Sequence, residues 1–83
     1  MKMIYYTKTI SKSLPNLYVA KMADKEVGFI YRPENTKTDK NFWRGYIGIG
    51  DSAKFVGHSM TKDDAMVNLN WAIVGENAVV VHM

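Results

Sequence analysis

The segment from Phe42 to Val74 predicts a β-hairpin that leads directly into a capped helix, and it constrains the fold more than any other part of the chain. Two extended arms, residues 42–49 and 54–58, flank a turn at residues 50–52. The first arm alternates without producing one cleanly polar face. We therefore expect either that both faces of this hairpin are covered or that one of them binds something.

The limits of the helix are marked at both ends. Thr61 stands at an N-cap position with Asp64 three residues later, a capping-box arrangement. Gly75 supplies the C-terminal stop. At 100° per residue, one helix face carries an apolar stripe that is expected to pack on the sheet. The stripe consists of Ala65, Met66, Leu69, Ala72 and Ile73.

Four further runs have the β-branched and aromatic character of strands. They are residues 1–10, 17–23, 27–32 and 78–81. Three polar residues connect the second and third runs, a length suited to a hairpin, whereas Pro33–Asn41 is wholly polar and predicts a long, exposed, mobile loop. The chain is predicted to be one α+β domain, residues 1–83, with an antiparallel sheet of four to six strands and one long helix on one face. The predicted order is β-β-β-β-β-α-β.

The composition favours a folded protein and argues against several functions. The 83 residues are 47% hydrophobic and 23% charged, and a chain this short buries a limited core, so a dimer or a partner would stabilise it. The absence of cysteine excludes disulfides and thiolate chemistry and fits the cytoplasm. No apolar run approaches the length of a membrane span. We expect no membrane association.

No catalytic constellation stands out, so we expect no enzyme activity and no cofactor or metal. His58 and His82 are the only imidazoles. His58 lies near Ser59 and Thr61, but the sequence shows no residue to orient a nucleophile–base pair. Asp63 and Asp64 point about 100° apart on the helix and complement its dipole better than they would share a proton.

Charge is divided unevenly along the chain. All eleven basic residues lie within residues 1–62, together with five acidic ones, while residues 63–83 carry three acidic residues and no basic one. This division suits a protein that offers a cationic surface to a polyanion. An ordinary solvated surface with a favourable helix dipole explains it equally well.

Basic and aromatic side chains cluster around the predicted loop and hairpin, beside Tyr31. Lysine and arginine neutralise phosphates, and aromatic rings stack on unpaired bases. The pattern predicts an RNA-binding surface, although a basic loop also serves solubility alone. The predicted RNA-binding residues are Arg32, Lys37, Lys40, Trp43, Arg44, Tyr46 and Lys54.

A second apolar stripe, Val67, Trp71 and Val74, lies on the side of the helix opposite the first stripe. One explanation is that a terminal strand covers it. The other is an exposed apolar patch with a central tryptophan, which is typical of a homodimer contact or of a partner-binding surface. We favour the interface.

The hairpin-to-helix segment carries two short patterns that overlap. The first pattern, a glycine, a Ser/Thr cap, an acidic residue before alanine and following apolar residues, consists of Gly57, Ser59, Thr61, Asp64, Ala65, Leu69, Ala72 and Ile73. It resembles double-stranded-RNA-binding domains, although Asp63 and Asp64 stand where that family carries lysines. The second pattern consists of Thr61, Asp64, Ala65, Asn68 and Leu69. It is similar to the T-x-x-E-A-x-x-N-[IL] helix of HicB-type antitoxins, and each resemblance covers roughly 30 to 35 residues.

In size, in its tyrosine- and lysine-rich start and in its lack of cysteine, the whole chain resembles small accessory proteins of T-even-type phages. That group includes an RNA-binding inhibitor of the ToxN ribonuclease toxin. The resemblance implies a counter-defence protein that binds RNA and inhibits a host toxin or nuclease in the host cytoplasm. The alternative is an antitoxin-like or inhibitory protein–protein module that binds no nucleic acid.

Overall fold

The fold is a mixed sheet of six strands with one helix packed on it. A computed structural model describes residues 3–33, 42–75 and 79–82, the last four as backbone. In chain order the elements are β1 (Met3–Thr9), β2 (Leu17–Met22), β3 (Lys25–Tyr31), β4 (Trp43–Ile47), β5 (Lys54–Ser59), α1 (Lys62–Val74) and β6 (Val79–His82), with a single 3-10 turn at Gly50–Ser52.

The strands lie in the order β5-β4-β3-β2-β1-β6. Strands β1 to β5 pair antiparallel with their neighbours, as predicted, while β6 pairs parallel with β1. The parallel pair follows from the helix. Because β1 and β5 run in the same direction and α1 carries the chain back, β6 runs in the direction of β1. The predicted α+β class and element order are confirmed.

Helix α1 has the predicted caps. The Thr61 hydroxyl accepts a hydrogen bond from the backbone N–H of Asp64 at 3.1 Å. Gly75 adopts a left-handed conformation with φ of 67°, and its N–H donates to the carbonyl of Trp71 at 2.8 Å. These bonds satisfy backbone groups that a helix end leaves without partners.

The helix packs a slightly different face from the predicted stripe. Ala72 is exposed, whereas Asn70 is buried. The Tyr6 hydroxyl, buried beneath the helix, lies 2.6 Å from Asn70 Oδ1 and 3.1 Å from the Met66 carbonyl oxygen, so the two acceptors share its one proton. Burial also raises the pKa of Tyr6, which keeps its hydroxyl protonated as the donor. The main core consists of Ile4, Tyr6, Ala20, Ile30, Ala65, Met66 and Leu69.

The connection between β2 and β3 is shorter than predicted. It is a turn at Ala23 and Asp24, because Met22 pairs with Lys25. Ala23 has a positive φ of 56°, a conformation typical of the turns that close two-residue hairpins. The sequence did not indicate this turn, since glycine and asparagine are the usual residues at such a position.

Gly28 lies in close contact with the backbone of β4 and with Leu69 of the helix. A Cβ atom built at Gly28 would lie 2.5 Å from the Tyr46 carbonyl oxygen and 3.3 Å from Leu69 Cδ2. Gly45, also buried on the adjacent strand, has more room, since the nearest atom to a built Cβ is Ile30 Cγ2 at 3.7 Å. Only the first of these two glycines is required by the packing.

We predict that Gly28→Ala destabilises the protein by about 1–3 kcal/mol, because either β4 or the helix must move to accommodate the methyl group. Gly45→Ala is the matched control, with an expected change below about 1 kcal/mol. Urea unfolding followed by circular dichroism measures both. Equal urea midpoints for the two variants would show that Gly28 is not a point of close approach.

Candidate nucleic-acid interface

The helix covers one face of the sheet, and no helix covers the other face within residues 3–33, 42–75 and 79–82. Ile30 and Gly45 are on the helix side, so alternation puts their strand neighbours on the opposite side. We call this second side the open face. Its side chains on β3, β4 and β5 are Phe29, Tyr31, Arg44, Tyr46, Phe55 and His58.

Five rings form a connected row on the open face, which we call the aromatic row. Phe29 and Tyr46 are paired across β3 and β4 and stack almost parallel, with centroids 4.9 Å apart and an interplanar angle of 11°. The row continues from Tyr46 to Phe55, from Phe55 to His58 and from His58 to Phe42, with centroid separations of 5.5, 4.9 and 6.2 Å. Tyr31 lies beside the row, 6.1 Å from Tyr46.

Phe55 and His58 are the exposed rings of the row, and Phe55 is 50% exposed on the edge strand β5. The Phe55 ring is turned by 63° from Tyr46 and by 65° from His58, so it does not continue the parallel stack that Phe29 and Tyr46 form. Phe55 is therefore more accessible to a planar ligand than the partly buried Phe29 and Tyr46.

Arg44 lies among these rings. It pairs with Tyr31 on one side and with His58 on the other, and Tyr46 follows two residues later on the same face. Its Nε is buried and has no hydrogen-bond partner among the described residues. A buried donor without a partner is costly, and Asn70 Nδ2 in the core is another such donor among the described residues. The guanidinium also offers a flat cationic group to a base or a phosphate.

Tyr46 on the open face keeps its hydroxyl protonated. Burial raises the pKa of Tyr46, and the neighbouring Tyr31, which hydrogen-bonds to it, raises it further, while Arg44 opposes the shift. The net direction is upward. Tyr46 therefore presents a neutral hydroxyl, able to donate and to accept, beside the Arg44 guanidinium.

The structure separates the residues that the sequence analysis grouped. Arg44 and Tyr46 lie on the open face, but Trp43 lies on the helix side and packs against the core. The centroids of the Trp43 and Tyr18 rings are 6.0 Å apart. Trp43 is thus not part of the aromatic row. Lys54 pairs with Ile47, which packs against the core, so Lys54 is placed at the sheet edge on the helix side.

The remaining predicted cations are not brought to the open face by any described contact. Arg32 is exposed beyond β3, where its backbone N–H donates to the Pro15 carbonyl and its own carbonyl accepts from the Asn16 amide. Lys37 and Lys40 fall outside the described residues, as does most of the predicted Pro33–Asn41 loop.

The sequence did not lead us to predict that Phe29, Phe55 and His58 lie on one surface. Phe29 and Tyr31 alternate with Gly28 and Ile30, which was a usable signal. Phe55 was harder to assign, because the pairing of β4 with β5 shifts register between Gly45 and Tyr46. That irregularity places Phe55 and His58 on the same face although they are three residues apart.

The outer side of the helix carries a second candidate surface. Val67 is 45% exposed and Trp71 is 48% exposed, and they are one helical turn apart. Val74 does not belong with them, because it packs against the core at the end of the helix. We call Val67 and Trp71 the helix patch. The patch and the open face lie on opposite sides of the sheet.

Comparisons with protein-family models, curated proteins and solved structures find no match. Among the described residues, no three histidine, cysteine or acidic side chains are grouped in a way that would hold a metal ion. The same part of the chain contains no helix with the length and apolar character that a membrane crossing requires.

We predict that the helix patch mediates self-association. Replacing Trp71 with serine would shift the protein toward monomer in sedimentation velocity, because the tryptophan supplies most of the exposed apolar area of the patch. Ala72→Ser, at an exposed position on the same helix, is the control and should leave the sedimentation coefficient unchanged. A wild-type protein that is monomeric at high concentration would exclude the dimer.

Proposed function

We propose that this protein binds single-stranded RNA on its open face and thereby inhibits a host toxin or nuclease. The observation that carries the proposal is the aromatic row, with the guanidinium of Arg44 placed among its rings. Apolar ring surface exposed to water is costly, so a row of partly exposed rings that no described helix covers, with Phe55 half exposed, favours a ligand with apolar, planar parts.

Unpaired bases fit these requirements. Their flat faces stack on aromatic rings, with a contribution of about 1–3 kcal/mol per base. Their edges and the ribose 2′-hydroxyl form hydrogen bonds, for which the Tyr31 and Tyr46 hydroxyls are suitable partners. The Arg44 guanidinium would bind a phosphate or stack on a base. Bases in a duplex are already stacked and paired, so single-stranded RNA is favoured.

Binding of this kind supports inhibition without catalysis. A protein that covers unpaired nucleotides shields them from a ribonuclease, and it competes with a toxin for an RNA that the toxin must bind. The resemblance to small phage accessory proteins adds support for a counter-defence role. Under this proposal the protein acts in the host cytoplasm, where both the RNA and the toxin are present.

The helix patch favours a second candidate function, a protein–protein inhibitor that needs no nucleic acid. Val67 and Trp71 form an exposed apolar surface of the kind that anchors protein interfaces. Its partner would be the toxin or nuclease itself, or a second copy of the chain. Because the patch and the open face are on opposite sides, the two functions are also compatible in one molecule.

We predict that Phe55→Leu weakens binding of a single-stranded RNA roughly 5- to 150-fold, the loss of one base–aromatic stack. Fluorescence anisotropy with a labelled mixed-sequence oligoribonucleotide measures the change. Trp71→Leu removes a similarly exposed aromatic ring from the opposite side, and on an oligomer too short to reach two open faces it should bind as the wild type does. Tyr46→Leu should also weaken binding.

Two results would contradict the proposal. One is the absence of any anisotropy change at low salt with the wild-type protein, while the other is an equal loss of affinity in Phe55→Leu and Trp71→Leu. A deoxyribonucleotide of the same sequence tests the contribution of the 2′-hydroxyl. Weaker binding of the DNA is expected if the tyrosine hydroxyls contact the ribose.

Arg44 should account for part of the salt dependence. If it binds a phosphate, Arg44→Gln reduces the slope of log K against log salt by about 0.7, the value for one phosphate of a single strand. Titrations at four salt concentrations measure the slope. An affinity loss with an unchanged slope would mean that Arg44 contacts a base and not a phosphate. The control is Lys62→Gln, because the Lys62 ammonium lies on the helix side, 4.8 Å from the centroid of the Tyr18 ring.

A further inference from the structure

A cavity adjoins one end of the aromatic row. It has a volume of about 300 Å³ and lies between the β1–β2 connection and the turn after β4. Phe29 belongs both to the cavity wall and to the aromatic row. A strand of RNA that follows the row therefore arrives at the cavity mouth. The described lining residues are Leu14, Leu17, Val19, Glu26, Phe29, Ile49 and Gly50.

The lining of this cavity differs from the rest of the open face. Its walls are mostly aliphatic, with the Phe29 ring on one side, and the only charged group among the described lining residues is Glu26. A carboxylate repels phosphate and accepts hydrogen bonds from N–H donors. The cavity therefore suits a flat, uncharged group that carries N–H donors at its edge, which is the chemistry of a nucleobase.

The carboxylate also discriminates among bases. It has two acceptor oxygens and binds most strongly to two donors that lie side by side. Guanine presents its N1–H and its exocyclic amino group in this arrangement on the Watson–Crick edge, whereas uracil presents a single N–H there. Lys21 is paired with Glu26 across β2 and β3, which places a cation beside the cavity for an adjacent phosphate.

We propose that this cavity is a guanine-selective subsite, in which the apolar walls and Phe29 enclose the base and Glu26 binds its Watson–Crick edge. The inference rests on the proposed RNA-binding function and names the base that the same surface prefers. It makes Glu26 a specificity residue, and it accounts for an acidic side chain at the border of a surface that binds a polyanion.

Anisotropy titrations with four short oligouridines test the inference. They carry guanosine, inosine, adenosine or uridine at one central position. We expect the guanosine oligomer to bind about tenfold more tightly than the uridine oligomer. The inosine oligomer should lose most of that preference, because inosine lacks the exocyclic amino group. Glu26→Gln should abolish the preference, since an amide offers one acceptor oxygen in place of two.

The control separates base recognition from net charge. Asp24→Asn removes one negative charge two residues away from Glu26, at a position that does not line the cavity. It should retain the guanosine preference. Equal affinities for all four oligomers, or the same effect of Asp24→Asn and Glu26→Gln, would overturn the subsite while leaving RNA binding intact. No binding to any oligomer would instead overturn the proposed function.

Discussion

One helix has to stabilise a sheet of six strands, and it covers only one face. Its thirteen residues contact strands β3, β4, β5 and β6. Close approach at Gly28 and the buried bonds of Tyr6 to Asn70 and Met66 hold the helix in that position. The opposite face keeps its own apolar side chains, and where no described helix covers them they pack against one another as the aromatic row.

The helix and most strands could be predicted because their signals are local. Thr61 and Gly75 set the helix limits by short-range hydrogen bonding. The composition of the open face depends on strand pairing and helix packing between residues that are far apart in the sequence. Alternation alone separates Trp43 from Tyr46, but both faces of β4 carry aromatic residues, so the pattern did not show which face the helix covers. The register shift that aligns Phe55 with Tyr46 has no sequence signature of its own.

Opposite placement of the two surfaces has a mechanistic consequence. The core and the sheet separate the aromatic row from the helix patch, so a ligand on one does not block the other. Under the proposed function, one molecule can hold an RNA on the open face while Val67 and Trp71 contact a toxin or a second copy. A dimer through the helix patch would present two open faces outward, and avidity would then strengthen binding to a longer RNA.

Charge explains less of the proposed recognition than the basic composition suggests. Of the predicted cations, only Arg44 is placed on the open face by the described contacts, and it lies among rings whose stacking is insensitive to salt. Stacking requires bases that are free of partners, whereas phosphate neutralisation does not distinguish single strands from duplexes. Under the proposed function, a surface built mainly of rings would select unpaired RNA, and Arg44 would add one contact to a base or to a backbone phosphate. The selectivity of such an inhibitor would come from which bases are exposed, and not from how much charge the RNA carries.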